Sequence, residues 1–481
     1  MIPRLVRLAL LCSLATPSIA QNLLGVSPSP YGGTQSLYLN PAFATDSRYS
    51  LYLNLFSANA HLNNNYVRYQ APFSLTSLVL GRVPNQYRLA DGAVLFKPEY
   101  LGELLNGNPK SGTAWTDFRG PSLLLRLGEA GAIGLTTRVR AAAQVNNASE
   151  QLMSVVRAGL EDERLYNIPS RDNQFSVNTN TYAELGLTLA VALVQDDYRQ
   201  LSVGATVKRL RGLTSGFLIN RGLNYRVLSD TAQTNSYYLQ VDQFNADLGY
   251  TSYLLDKGRS VTLRQLFDRN NPGRGWGADL GISYQLRSED DPDEYTLRLG
   301  IALTDLGSIR YRDDRKTYVQ RYSVSRTDQK FSSTDFQEVT GSEDIAEVIR
   351  TKLDLTEADN QAQFTSGLPT AISLNADLRL AQDMYVTATF LGDLRSSSAI
   401  TMRQPTLLAL TPRLEKANFG LSIPLVFINQ TFAAGASLRI GPVFIGTDNL
   451  FGIVGSNVNK LRPRGADVYA GLAVASLRRK P

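Results

Sequence analysis

Trp276-Gly277-Ala278-Asp279-Leu280-Gly281-Ile282-Ser283-Tyr284-Gln285-Leu286 reads as one strand with two unlike faces. Its even positions, Trp276, Ala278, Leu280, Ile282, Tyr284 and Leu286, are apolar. Gly277, Asp279, Gly281, Ser283 and Gln285 stand between them. Side chains alternate sides along a β-strand, so one apolar face backs onto one small or polar face. Tyr295, Leu297, Leu299, Ile301 and Leu303 repeat the pattern against Thr296, Arg298, Gly300 and Ala302. Ile372, Leu374, Ala376, Leu378 and Leu380 do so against Ser373, Asn375, Asp377 and Arg379. Further copies run over Ile133–Val139, Leu185–Leu193, Leu201–Val207, Ala417–Leu425 and Phe432–Ile440.

A soluble sandwich and a transmembrane barrel both produce such runs. Sandwich strands average about five or six residues. Many runs here reach roughly seven to eleven, close to the 9–11 that a tilted strand needs to cross a bilayer. The polar faces carry Gly, Ser, Thr, Asn, Asp and Arg, as a hydrated lumen does. Tyr49, Trp276, Tyr295, Tyr385, Phe432 and Tyr469 fall near strand ends, where an interfacial girdle places aromatics, although β-propensity alone also enriches them. Short connections are expected at Gln195–Arg199, Ser288–Asp293, Gln382-Asp383, Pro412–Lys416 and Asn429-Gln430. Long polar ones are expected at Asn146–Asn180, Asp256–Arg274 and Gly307–Thr370. Short turns on one side and long loops on the other are the asymmetry of a single-chain bacterial barrel. The expected fold is all-β, a transmembrane antiparallel β-barrel of about 14 strands, with 12 to 16 allowed, and short helical segments in loops or lumen.

The first residues suit that destination. Arg4 and Arg7 precede the apolar run Leu8–Ala15, and Ser18-Ile19-Ala20 offers small residues for a signal peptidase, so residues 1–20 read as a leader cleaved before Gln21. A membrane helix needs about 20 apolar residues where this run offers roughly eight. Cys12 lies inside the apolar run behind bulky Leu11, which argues against a lipid anchor. It is the sole cysteine, so the exported remainder has no disulfide. The 481 residues carry 49 Lys+Arg against 43 Asp+Glu, or +6, and +4 once Arg4 and Arg7 are gone, too weak a bias for nucleic acid. No later segment holds 18 continuous apolar residues, so no membrane-spanning helix is expected.

Two helices are expected in the connections. Ser342 caps one, with Ile345, Val348, Ile349 and Leu353 on one face, Glu343 and Asp344 in its first turn, and Arg350 and Lys352 later. Pro98–Leu105, followed by Gly107, is the other. Either is placed to plug or lid the barrel; decoration of a long loop is the commoner outcome. Register places Arg138, Arg140, Asp247, Asp279, Arg298, Asp377, Arg379 and Arg439 toward the lumen. Asp247, Asp279 and Asp305 each open an Asp-Leu-Gly, and Asp377 a weaker copy. Arg outnumbers Lys 39 to 10. Rings of basic side chains can select anions, but internal salt-bridging is the more ordinary use of such a lumen.

The block Leu37-Tyr38-Leu39-Asn40-Pro41-Ala42 resembles the Asn-Pro-Ala opening of barrels related to the long-chain fatty-acid transporters. Asp46-Ser47-Arg48, Leu303–Ile309 and Thr365–Pro369 are similar to a Bacteroidota group of outer-membrane barrels of unknown function, in the same superfamily as type IX secretion shuttle barrels. The resemblance spans most of the chain through short motifs. It implies about fourteen strands, residues 21–47 entering the lumen, and residues 48–481 forming the barrel. The sequence departs from many such barrels in closing on Ser476–Pro481 without a terminal aromatic.

Catalysis is not expected. A Ser-His-Asp or Asp-His unit needs a base, and His61, expected in a solvated turn, is the single histidine. Glu343-Asp344, Glu289–Asp293 and Asp313-Asp314 lack the spacing of a calcium loop, and no phosphate-binding glycine motif stands in context. No metal, cofactor or nucleic acid is expected. The expected partner is outer-membrane lipid, and the expected role is passage of small or hydrophobic solutes, by analogy of fold alone. The alternative is a non-transporting scaffold or shuttle for surface or secretion proteins.

Overall fold

The computed structural model describes residues 23–229, 237–251, 271–288, 294–313, 319–332, 335 and 348–477. The leader expected over 1–20, the start of the Ser342 helix and the acidic run Glu289–Asp293 lie outside them.

The wall opens with β1 (Tyr49–Asn64). Beyond it, β2 (Val67–Tyr69) and β3 (Leu101–Glu103) pair in a small separate sheet. The wall resumes with β4 (Lys110–Arg119) and β5 (Ser122–Leu127), two parts of one strand, then β6 (Gly131–Ala148), β7 (Ser170–Gln195) and β8 (Arg199–Ser229). β9 (Tyr237–Thr251) pairs with the far half of β8 and leaves the near half to β10 (Gly273–Arg287). β11 (Tyr295–Arg312) follows, and β12 (Val319–Ser332) pairs with β9. The circuit continues through β13 (Gln363–Gly367) with β14 (Ala371–Ala381), β15 (Met384–Asp393) and β16 (Leu407–Lys416). Next come β17 (Phe419–Ser422) with β18 (Leu425–Ile428), β19 (Thr431–Ala434) with β20 (Ala436–Ile440), β21 (Val443–Thr447) and β22 (Gly465–Leu477). Antiparallel pairing of Tyr49 with Leu477 closes the ring. Among the described residues this is a closed antiparallel barrel of fourteen strands, as the period predicts.

The connections sort by end. The described connections 128–130, 196–198, 382–383, 417–418 and 441–442 lie at the end where Tyr49 and Leu477 meet, as do the end of β10 and the start of β11. Connections 65–109, 149–169 and 394–406 lie at the other, where β8 ends and β9 begins. The two-residue hairpin 429–430 also lies at that far end, so the rim is low there. Four expected segments differ. Pro412–Lys416 is strand, and the turn falls at 417–418. Much of Asn146–Asn180 and Gly307–Thr370 is strand too, because β6, β7, β11 and β12 are each longer than the 9–11 residues a crossing needs. Pro98 starts only a 3-10 turn, Pro98–Tyr100, and Leu101–Glu103 pairs as a strand.

Alternation decides which side chains meet lipid. Leu185, Leu187, Leu189, Val191 and Leu193 all point outward, with Leu193 60% exposed. An apolar face continued around a ring far exceeds the few hundred Å² that a soluble surface tolerates. The aromatic girdle is smaller than expected. Trp276 and Phe432 do face out, whereas Tyr49, Tyr295, Tyr385 and Tyr469 are buried in the lumen. Register shifts beside Tyr49 and Tyr295 turn those two rings inward. A buried phenol also requires a hydrogen-bond partner, which lipid cannot supply.

Candidate functional site

Residues 23–47 lie inside the barrel as a compact plug. Asn40 sets its central turn: its side-chain oxygen accepts from the Ala42 N–H at 2.9 Å, and Pro41 starts a short 3-10 helix, Pro41–Ala44. The Asn40 amide then donates to the Ile282 and Ile301 carbonyls at 3.0 and 3.4 Å, tying the turn to β10 and β11. Three lumen-facing glycines make the seat. A Cβ on Gly204 would strike Pro41 and Ala42, one on Gly281 Asn40, and one on Gly300 Phe43. Gly33, at φ +57°, lies against the ring of Tyr52, where a side chain would be both strained and blocked.

Polar contacts hold the plug all round. Gln35 donates to Asn54 and Ser57 at 3.1 and 3.0 Å and accepts from Arg119. Thr45 donates to Ser202 at 2.8 Å, and Asp46 accepts from Ser283 at 2.9 Å. Ser29 donates to Glu415. The Leu24 N–H meets Asp448 at 3.1 Å and the Gly25 N–H meets Tyr469 at 3.2 Å. Plug aromatics receive wall cations on their faces: Arg119 and Arg138 lie 4.3 and 4.4 Å from the Tyr38 ring, Arg298 4.4 Å from Phe43, and Arg439 4.6 Å from Tyr31. Leu24, Leu39 and Phe43 also pack on Leu391, Leu407, Val426 and Ile428.

Two charged networks surround the plug. In one, Arg119, Arg138, Arg140 and Lys208 face Asp117, Glu184, Asp279 and Asp305, a balanced set of buried charges. Asp305 is its hub, 2.6 Å from Arg140 and 2.5 Å from Lys208. In the other, Asp377 receives Arg298 at 3.0 Å and Arg413 at 2.9 Å, Glu415 lies 3.3 Å from Arg413 and 3.8 Å from Arg439, and Asp46 of the plug lies 3.8 Å from Arg298. Buried charges persist only when paired, which these are. Between Tyr38, Arg138, Arg140 and Asp305 a cavity of about 30 Å³ remains, room for little more than a water.

Arg138, Arg140 and Asp279 thus lie in the first network, and Arg298, Asp377 and Arg439 in the second. Arg379 sits at the rim where Tyr49 and Leu477 meet, 2.6 Å from Glu294. Asp247 belongs to neither network: it lies in β9, beside the far half of β8, where it pairs with Arg221 and accepts from Ser323 at 2.8 Å. His61 differs from the expectation. It lies within β1, turned inward, 3.4 Å from Asp467, because the strand runs to Asn64 instead of turning. Glu184 and Lys208 were readable by extending the period of β7 and β8. Asp305 was not: at φ +55° it sits where the register between β10 and β11 slips, which breaks the period. Asn40, Pro41 and Ala42 form the seated turn itself.

With that geometry in view, residues 41–448 match a family of unknown function (DUF5723). This chain belongs to that family. No curated protein matches it. Among solved structures, this DUF5723 chain is similar to the toluene transporter TbuX of Ralstonia pickettii, at 12% identity and a TM-score of 0.37 over 95% of this chain and 98% of that one. It is also similar to the toluene transporter TodX of Pseudomonas putida, at 9% identity and 0.38 over 94% and 95%. A FadL homologue of Pseudomonas aeruginosa gives 10% identity and 0.30 over 93% of each chain. Similarity of that degree says nothing about cargo.

Proposed function

We propose that this DUF5723 chain is a gated outer-membrane transporter for small hydrophobic solutes, held shut by residues 23–47. The observation that carries this reading is the plug itself: a segment outside the ladder, fixed by side-chain hydrogen bonds and cation–ring contacts of about 1–3 kcal/mol each rather than by strand pairing. Above it, Tyr182, Leu210, Phe217, Ile309, Tyr311, Phe364 and Leu368 form an apolar cluster inside the barrel. Leu368–Thr370 interrupts the strand between β13 and β14 opposite the Asp305–Gly307 slip. Arg395 spans the break, donating to the carbonyls of Leu368 at 2.9 Å and Gly307 at 2.8 Å. An apolar site beside an interrupted wall, over a displaceable plug, suits a solute that prefers lipid to water.

A second reading is a closed barrel that carries partners outside. It is favoured by the length of β7 and β8, 26 and 31 residues, where a crossing needs about 9–11.

The test locks the plug. The Thr45 and Ser202 hydroxyls are 2.8 Å apart, so Thr45→Cys with Ser202→Cys, in a Cys12→Ser background, places two thiols to bond. Cells carrying the protein in the outer membrane take up a radiolabelled alkylbenzene when it is reduced and stop when it is oxidised. Equal uptake in both states would sink the plug as the gate. No uptake in either would favour the scaffold.

A further inference from the structure

Near the low rim at hairpin 429–430, two segments far apart in sequence pack together. The helix Leu450–Val454 packs on β19 and β22, and the helix Leu75–Val79 packs on it, with Thr76 donating to the Ile453 carbonyl at 2.7 Å. The Asn457 N–H donates to the Ala71 carbonyl at 2.7 Å and the Tyr69 N–H to Pro463 at 2.8 Å, so the loops lie side by side. This cap has its own core of Tyr69, Ala71, Phe73, Val83 and Tyr100. Three side chains are left out of it: Val79 is 82% exposed, Leu80 56% and Val458 75%. Phe427 and Phe432 of the lipid-facing belt, and Phe451 and Val454 on the helix that packs on β19, are exposed as well.

The two segments that carry these side chains have charge of one sign. Residues 71–89 and 450–466 contain no acid, and between them they carry Arg82, Arg88, Lys460, Arg462 and Arg464. Arg88 is committed to the carbonyls of Gly81, Val83 and Gly92. Arg82, Lys460 and Arg462 are exposed. Apolar side chains flanked by cations are the composition of a surface resting at the boundary between acyl chains and anionic headgroups.

We propose that the segments 75–82 and 450–462 form a foot seated in the leaflet at the long-connection end. Val79, Leu80 and Val458 enter the headgroup boundary, and Arg82, Lys460 and Arg462 meet lipid phosphates. The inference rests on the barrel crossing a membrane and is independent of transport.

The test uses the full chain with Cys12→Ser and a single new cysteine, Val79→Cys or Val458→Cys, labelled with an environment-sensitive fluorophore. Glu161→Cys in an exposed loop is the water-facing control. Variants are used only if they keep the heat-modifiable mobility of a folded barrel. In vesicles of phosphatidylcholine with phosphatidylglycerol, both foot labels shift to the blue and resist iodide about fivefold better than the control. Arg82→Gln with Lys460→Gln and Arg462→Gln removes most of the gain that phosphatidylglycerol brings. Labels as open to iodide as the control in every vesicle would overturn the foot and point to a protein partner. Equal protection with and without phosphatidylglycerol would overturn the phosphate contact.

Discussion

At the scale of single residues, glycine and aspartate do most of the fitting. Gly281 faces Asn40 so closely that Gly281→Val must expel the turn or strain the wall, an overpacking cost of about 1–3 kcal/mol. The expected result is faster chymotrypsin cleavage at Tyr31 and Tyr38 while the barrel core stays resistant; unchanged cleavage would remove the seat from the account. Asp305→Asn leaves Arg140 and Lys208 facing fewer charges in a buried site, with an expected loss of about 3–5 kcal/mol in urea unfolding from detergent. The period-two pattern sets Asp279, Arg298 and Asp377 on the polar faces of their strands, and all three are buried in the structure. It could not place Asp305, whose inward turn depends on a slipped register, nor Asp46, whose pairing with Arg298 needs the plug in place.

At the scale of elements, strands and several tight turns were legible, 196–198, 382–383 and 429–430 among them, and the longer pieces between strands were less so. The runs at Trp276–Leu286 and Ile372–Leu380 appear as β10 and β14 with the expected faces, because one side meets lipid and the other the lumen. Pro98–Leu105 misled because Tyr100 and Leu101 pack into the cap core from a 3-10 turn and a short strand, while Leu105 is exposed. Within the cap, Glu103 of β3 accepts from Tyr66 at 2.5 Å, from Arg157 at 2.8 Å and from Arg164 at 3.0 Å. Burial alone would raise its carboxyl, but those hydrogen bonds outweigh it and hold it at about 2, below the ordinary 4.5. A depressed carboxylate stabilises above its unfolded pKa and ceases to do so as pH falls through the folded one. The cap should therefore loosen between pH 4.5 and 2, seen as faster amide exchange over 66–69 and 101–103. Glu103→Gln should flatten that dependence, and an unchanged profile would contradict the assignment.

At the scale of the whole molecule, fourteen strands enclose a lumen that the chain's own N-terminal segment fills. Alternation fixes lipid-facing apolar surface and a lumen of small and charged residues; glycines on β8, β10 and β11 then leave the space that Asn40–Phe43 occupies. A folded barrel of this kind resists detergent until boiled, so a mobility shift on boiling should accompany outer-membrane fractionation. The most direct test of the central claim is hydrogen–deuterium exchange of residues 23–47 in the folded, detergent-solubilised protein. Seated as a plug, with its N–H groups bonded inside the lumen, the segment should exchange on the slow timescale of the surrounding strands and speed up in Gly281→Val. Exchange within seconds, as in a free tail, would contradict the plug and the gate with it.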